Sequence, residues 1–256
     1  MITVDGVSTS YGGTTVLGPV SLRFPDHGIT SLIGSNGAGK STLLTTVGRL
    51  LVPDTGSVVL DGPDGPLDVH ATRSRDVATA LAVLRQENHF DLRLTVRELV
   101  SFGRFPHSRG RPGAEDERLV DQALDLLDLL DLQQRPIDQL SGGQRQRAHV
   151  AMVLAQDTRY VLLDEPLNNL DMKHAVRMMR RLRRAADDLG KSVVMVVHDV
   201  NFAARWSDHL IALRDGEVVA QGTPREMMRP RVLEAVFDTP VDVHEIDGRP
   251  VAVYFG

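Results

Sequence analysis

The sequence contains no cysteine, which excludes disulfide bonds and thiolate metal sites and fits a reducing compartment. It also has no run of roughly eighteen apolar residues, the length that a membrane-spanning helix needs. Its N-terminus has no basic segment followed by an apolar stretch. We therefore expect neither a transmembrane helix nor export by a signal peptide, so that any role at a membrane depends on a partner.

An excess of basic charge is absent as well. The formal net charge is -5 and the isoelectric point is near 6.0, which argues against a dedicated nucleic-acid binder. The arginines between Arg177 and Arg184 alternate with Met and Leu at helical spacing, so this segment is interpreted as an amphipathic helix with a solvated basic face. The apolar content of 42% is that of an ordinary globular domain.

Buried-type strands alternate with amphipathic helical patterns along most of the chain. Short apolar strands occupy residues 1–33, and strand and helix patterns alternate again after residue 150. This order predicts an α/β core with a largely parallel sheet. The middle third reads as mostly helical, apart from a polar Gly/Pro loop at residues 105–117, and the tail carries a hairpin signal at Asp247-Gly248.

A phosphate-binding loop follows the strand that ends at Ile33. Residues Gly34 to Ser41 match G-x-x-x-x-G-K-[ST] in full and precede a helical run. The loop's backbone N–H groups would face phosphate oxygens, while Lys40 would reach the β- and γ-phosphates and Ser41 would ligate Mg²⁺. The predicted nucleotide-binding residues here are Gly34, Ser35, Asn36, Gly37, Ala38, Gly39, Lys40, Ser41 and Thr42.

Two acids end the apolar segment YVLLDE at Tyr160 to Glu165. Asp164 is predicted to hold the magnesium shell, and Glu165 to polarise the attacking water. A second feature, LSGGQ at Leu140 to Gln144, precedes a helix and contains an S-x-x-Q capping box. Capping alone does not require two glycines, which weaken a helix, whereas close approach of a phosphate would explain them.

The phosphate loop, LSGGQ and YVLLDEP, in that order along the chain, resemble the motifs of the nucleotide-binding subunit of ABC transporters, and the resemblance spans essentially the whole chain. By this resemblance Tyr11 stacks on adenine, and Gln86 joins the magnesium and water site to a transmembrane partner. His198 corresponds to the switch histidine that contacts the γ-phosphate. Residues 168–171 (NNLD) occupy the D-loop, which contains Asp171 and where Ser-Ala-Leu-Asp is commoner.

The family's architecture implies a P-loop NTPase fold of ABC type, with a mostly parallel sheet core, an N-terminal antiparallel β subdomain and an inserted helical subdomain. A single domain would then span residues 1–256. Its core with the β subdomain would comprise residues 1–87 and 150–256, the helical subdomain 88–149, and a C-terminal hairpin 241–256.

The resemblance also implies a mechanism. Lys40, Gln86, Glu165 and His198 form the predicted catalytic set, and Ser41, Gln86 and Asp164 the magnesium set, with ATP and Mg²⁺ as cofactors. The signature residues act on the partner's ATP, so two chains form a nucleotide-sandwich homodimer. These signature residues are Ser141, Gly142, Gly143 and Gln144.

Within the family, the segments around Gln86 and the D-loop resemble the iron-siderophore importers. We expect the chain to lie on the cytoplasmic face of the cell membrane, bound to a separate permease and served indirectly by an extracellular or periplasmic substrate-binding protein. Import of heme or cobalamin, or a non-transport role such as metal-cluster assembly, are the alternatives. The permease contact is predicted at residues 88–104, where Phe102 and Phe105 either form an exposed socket or pack internally.

Overall fold

The computed structural model describes residues 1–62, 65–86, 93–168 and 170–255. Most of its strands coincide with apolar runs of the sequence. In chain order they are β1 (Ile2–Tyr11), β2 (Thr14–Phe24), β3 (Gly28–Ile33), β4 (Thr55–Gly62), β5 (Gly65–Asp68), β6 (Leu81–Leu84), β7 (Tyr160–Leu163), β8 (Ser192–Val196), β9 (His209–Arg214), β10 (Glu217–Gly222), β11 (Asp242–Ile246) and β12 (Arg249–Val253).

The helices alternate with these strands. In chain order they are α1 (Lys40–Val47), α2 (Ser74–Ala80), α3 (Val96–Phe102), α4 (Phe105–Ser108), α5 (Ala114–Leu126), α6 (Gly142–Ala155), α7 (Met172–Asp188), α8 (Val200–Trp206), α9 (Pro224–Met227) and α10 (Pro230–Phe237). Among the described residues, no helix has the length and apolar character needed to cross a membrane.

The chain divides into two units, and the first comprises residues 1–72 and 192–256. One of its sheets has the order β2-β1-β4-β5, with antiparallel neighbours. In a second sheet, β3 lies between β8 and β9 and is parallel to both, while β10 is antiparallel to β9, and β11 and β12 form a separate antiparallel pair. All five residues of β8 and five of the six in β3 are buried, as expected for strands covered on both faces.

The second unit comprises residues 73–191 and contains the parallel pair β6 and β7 together with the six α-helices α2 to α7. Helix α3 begins at a capping box, in which the Thr95 backbone N–H donates to Glu98 at 2.7 Å. Helix α5 has three acidic residues in its first turn, where the helix dipole favours negative charge.

The α/β class with a parallel core sheet is confirmed, and two local interpretations are corrected. The pattern of residues 209–222 (HLIALRDGEVVAQG) predicts a single strand, but the segment forms two, because Asp215 and Gly216 take positive φ angles of 51° and 79° and turn β9 into β10. Asp-Gly is a strong signal for such a turn. The polar loop after Gly103 also begins with a helical turn, α4, whose second residue is Pro106.

Candidate functional site

The phosphate loop lies in the first unit, between the end of β3 and the start of α1. Gly34 has a φ of 141°, and a Cβ there would lie 2.1 Å from the Leu213 carbonyl oxygen, so only glycine fits. Gly37 and Gly39 also have positive φ angles, of 79° and 94°. Ser35, Asn36 and Gly37 are exposed, whereas Ala38 and Gly39 are buried.

Lys40 is buried beneath this loop, with 5% of its surface exposed. Its Nζ donates to the carbonyl oxygens of Gly34 at 2.9 Å and Ser35 at 2.7 Å, which draws the ammonium group across the loop. Helix α1 begins here without an acidic residue in its first turn and without a side-chain cap. Ser41 and Thr42 lie in that turn, so the helix start presents N–H groups and hydroxyls suited to an anion.

Two further predicted residues lie elsewhere in the first unit. Tyr11 ends β1 before the Gly12-Gly13 turn and is 52% exposed, which leaves its ring accessible. His198 follows β8 and is exposed. The next residue, Asp199, caps α8 by accepting a hydrogen bond from the Phe202 N–H at 2.9 Å. His198 is therefore held between a buried strand and a capped helix.

In the second unit, the fully buried strand β7 ends directly before the two predicted acids. The Asp164 backbone N–H donates to the Leu84 carbonyl at 2.9 Å, and this residue is only 4% exposed. Glu165 is half-buried and has a φ of 50°, in the left-handed region that glutamate rarely adopts. Such local strain is concentrated at functional sites.

The Glu165 side chain accepts hydrogen bonds from two amides. The Nε2 of Gln86 donates to its Oε2 at 3.1 Å, and the Nδ2 of Asn168 donates to the same oxygen. Of the predicted residues of this unit, the structure thus brings together Gln86 and Glu165. Sequence reasoning missed the contact made by Asn168, although its amide in place of the commoner serine was a visible signal.

The signature residues occupy the first turn of α6. Ser141 and Gln144 form the predicted capping box, with N···O distances of 2.9 and 3.3 Å. Within the described part of the chain, a Cβ on Gly142 would meet no atom of another segment within 4 Å, whereas one on Gly143 would lie 3.2 Å from a methyl group of Leu170. Packing within the chain therefore accounts for the second glycine but not for the first, which is exposed.

The D-loop residue Asp171 caps α7. It accepts a hydrogen bond from the His174 backbone N–H at 2.8 Å, and its carboxylate also lies 2.6 Å from the His174 Nδ1. The backbone hydrogen bond, followed by the side-chain one, lowers the pKa of Asp171. The middle residue of this loop, Asn169, lies outside the described residues.

Comparison with known proteins places this chain in a family. Residues 17–168 match the family model described as ABC transporter. The petrobactin import ATP-binding protein FatE of Bacillus anthracis is 50% identical over 99% of this chain and all of its own length. The petrobactin import ATP-binding protein YclP of Bacillus subtilis (strain 168) is 48% identical over the full length of both.

Solved structures agree. The dimeric structure of MJ0796, a bacterial ABC transporter cassette, is 30% identical, with a TM-score of 0.77, and covers 88% of this chain and 99% of its own. The chain therefore belongs to the ABC transporter family, as its ATP-binding subunit. It is an ATPase with the cassette fold, and the resemblance read from the phosphate loop, LSGGQ and YVLLDE is confirmed.

Proposed function

We propose that this ATPase energises the import of a ferric siderophore through a separate membrane permease. The observation that carries the proposal is the identity of about half of all residues, over the full chain, with two proteins named for petrobactin import. The match extends over the whole chain and is not confined to the nucleotide motifs. The chain would then work as a peripheral subunit on the cytoplasmic face of the membrane, and a substrate-binding protein would deliver the chelate outside.

The proposed chemistry begins with charge neutralisation around the triphosphate. The Lys40 ammonium, which already lies against the loop carbonyls of Gly34 and Ser35, binds the β- and γ-phosphates together with the N–H groups of the phosphate loop. The Tyr11 ring stacks on the adenine base. His198 contacts the γ-phosphate.

Magnesium binding is proposed for Ser41, Asp164 and Gln86. Hydroxyl, carboxylate and amide oxygens are the hard ligands that Mg²⁺ prefers, and Asp164 is held with little exposure at the end of a buried strand. When bound, the ion neutralises charge on the β- and γ-phosphates. Glu165 then orients the attacking water and accepts its proton.

A second copy of the chain is proposed to complete each ATP site. Gly142 is exposed, and a Cβ built there would meet no atom of another described segment within 4 Å. A helix start with two glycines lets a phosphate approach the backbone closely, and the α6 dipole favours that charge. Ser141 through Gln144 would therefore close over the ATP that the partner's phosphate loop holds.

The proposed permease contact is a cavity in the second unit, which we call the socket. It has a volume of about 550 Å³, and its walls include Phe102 and Phe105. These rings are 46% and 62% exposed, which excludes the alternative that both pack internally. Exposed aromatic side chains in a concave surface suit a short helix of a partner. Of the predicted contact segment 88–104, residues 88–92 lie outside the described part.

Arg104 links the socket to the signature helix. It is 5% exposed, donates from Nε to Asp116 at 2.9 Å and reaches the carbonyl oxygens of Ala155 and Gln156 at 3.0 and 2.9 Å. These carbonyls lie at the C-terminus of α6, where a cation is favoured. A force on the socket can therefore act on the helix that begins with the signature.

We expect the double variant Phe102→Ser, Phe105→Ser to lose co-purification with the permease while its ATP binding as an isolated chain stays normal. The measurement is affinity capture of the complex from detergent-solubilised membranes. Met172→Ser serves as the matched control, because Met172 is 82% exposed on α7 and lies outside the socket. Undiminished permease capture by the double variant would contradict the socket.

The proposed transport function is tested by uptake of labelled iron on individual chelates in a strain that lacks this subunit. Loss of ferric petrobactin or another ferric siderophore, restored by the wild-type chain but not by Lys40→Ala, supports the proposal. Normal uptake of every ferric siderophore with loss of heme or cobalamin would reassign the cargo. Normal uptake of all of them would favour a role without a transporter.

A further inference from the structure

The turn after β7 places the side chain of Asn168 against Glu165. The Asn168 backbone N–H donates to the Glu165 carbonyl oxygen at 3.2 Å, and its side-chain Nδ2 donates to Glu165 Oε2. One residue therefore contacts both the main chain and the side chain of Glu165. Since a carboxylate offers only acceptors, the amide must present its NH2 group to it.

Gln86 provides a second amide to the same oxygen, from the end of β6. The two contacts differ in setting. Gln86 is exposed, whereas Asn168 is half-buried and belongs to the same turn as Glu165. That turn is itself fixed to the signature helix, since Gln146 Nε2 donates to the Pro166 carbonyl at 3.2 Å. Asn168 is thus the better-anchored of the two donors.

A shorter side chain at residue 168 would not make this contact in the same way. The serine that is commoner at this D-loop position ends one bond closer to the backbone than the Asn168 amide nitrogen. Glu165, with a left-handed φ of 50°, also has a backbone that its own residue type does not favour. The two amide donors to Oε2 restrict the orientation of its carboxylate, and precise orientation of a base is a large part of its catalytic effect.

We propose that Asn168 is a positioning residue, whose side-chain amide holds the Glu165 carboxylate in the orientation from which it directs the attacking water. The inference rests on the proposed role of Glu165 and adds a role for an asparagine at the D-loop position. It also joins the D-loop to hydrolysis within one chain, because the residue that orients the base is part of that loop.

The test is a double-mutant cycle on the purified chain with Asn168→Ala, Asn168→Asp and Glu165→Gln. We expect Asn168→Ala to lower kcat by about tenfold while KM for ATP changes less than about twofold, because the loss concerns orientation and not binding. Asn168→Asp keeps the shape but turns the donor into an acceptor beside a carboxylate, so its loss should be larger. Gln122→Ala, a half-buried amide on α5, is the control.

The Asn168→Ala substitution is also made in the Glu165→Gln chain, which shows whether its effect depends on the Glu165 carboxylate. There we expect Asn168→Ala to leave the small residual kcat unchanged, since no carboxylate remains to be oriented. A second readout is the lifetime of the ATP-bound dimer on gel filtration, which Asn168→Ala should lengthen in the wild-type chain and not in Glu165→Gln.

Two results would overturn the inference while leaving the base assignment intact: an unchanged kcat in Asn168→Ala, or an equal loss in both backgrounds. A Glu165→Gln chain with full kcat would instead remove the proposed role of Glu165, and the inference would fall with it.

Discussion

At the scale of single residues, Lys40 is the buried cation of the phosphate loop. It lies almost fully buried under a loop whose carbonyls it bridges. Truncation removes a positive charge from the place where the proposed triphosphate binds, while the glycines that shape the loop remain. A variant of Lys40 therefore tests the contribution of this charge to ATP binding without replacing the glycines that shape the loop.

We predict that Lys40→Ala raises the Kd for ATP by about ten- to a hundredfold, the range expected for losing a charge-assisted hydrogen bond. A titration with a fluorescent ATP analogue measures this. Lys173→Ala is the control, because Lys173 is exposed in the first turn of α7. An unchanged Kd in Lys40→Ala would contradict the phosphate-binding role.

His149 supports a prediction about acid stability. It is 5% exposed in α6, and burial, with a smaller contribution from Arg145, lowers its pKa to about 4. The unfolded chain binds this proton near pH 6.5, so between pH 6.5 and 4 the unfolded state holds more protons. The free energy of unfolding therefore falls as the pH falls through that window, by up to about 3 kcal/mol from this group, and is unaffected above it.

We expect the non-titrating variant His149→Gln to lose less stability than the wild type when the pH is lowered from 7.5 to 5. Urea unfolding at each pH measures the difference. Other titrating groups are common to both chains and cancel in that difference. An equal loss of unfolding free energy in both chains between pH 7.5 and 5 would show that His149 does not cause the loss of stability at low pH.

At the scale of elements, helix α6 connects the proposed sites of the second unit. Its first turn holds the signature, Gln146 bonds the turn that follows Glu165, and its last carbonyls receive Arg104. At Gly142 an added methyl group should affect function and helix stability in opposite directions, since no atom of another described segment lies within 4 Å of a Cβ there.

We predict that Gly142→Ala leaves the melting temperature equal or slightly higher, because alanine favours a helix over glycine by up to about 1 kcal/mol. The same variant should lower ATP turnover at least about tenfold, because the methyl group obstructs a ligand phosphate at the helix start. Thermal unfolding and steady-state hydrolysis measure the two effects. Gly113→Ala, at the N-cap of α5, is the control. Normal turnover in Gly142→Ala would contradict the close approach.

The sequence predicted the helices, strands and loops whose positions depend on local chemistry. The loop between β3 and α1, the capping box of α6 and the buried run of β7 follow from residue type and spacing alone. The contacts of Arg104 and Asn168 could not be predicted from the sequence. Arg104 contacts carbonyl groups about fifty residues away and Asn168 contacts Glu165 across an irregular turn, and neither kind of contact leaves a periodic pattern in the sequence. The Asp215-Gly216 pair is a sequence signal for a turn, but the apolar residues on both sides of it led to the prediction of one continuous strand.

At the scale of the whole molecule, one chain contains a single phosphate loop and a single signature. If the signature served its own loop, each chain would be a complete enzyme. If it serves the partner's loop, as proposed from the exposed helix start at Gly142, hydrolysis requires two chains. A symmetric pair then holds two identical composite sites. The two arrangements differ in what happens when two inactive variants are mixed.

We predict that Lys40→Ala and Ser141→Arg are each inactive alone and regain hydrolysis when mixed. Lys40→Ala disables the loop of its own chain, whereas Ser141→Arg binds ATP normally but places a bulky cation where the partner's ATP must fit. In a mixed dimer, the intact loop of one chain meets the intact signature of the other, and the second site has both defects. Random pairing makes about half of the dimers mixed, each with one of two sites intact, so turnover should approach about a quarter of the wild-type value. Steady-state phosphate release at equal concentrations measures this, with each variant alone at the same total concentration as the control. A mixture as inactive as its components would contradict sites shared between chains, because chains that act alone cannot repair one another.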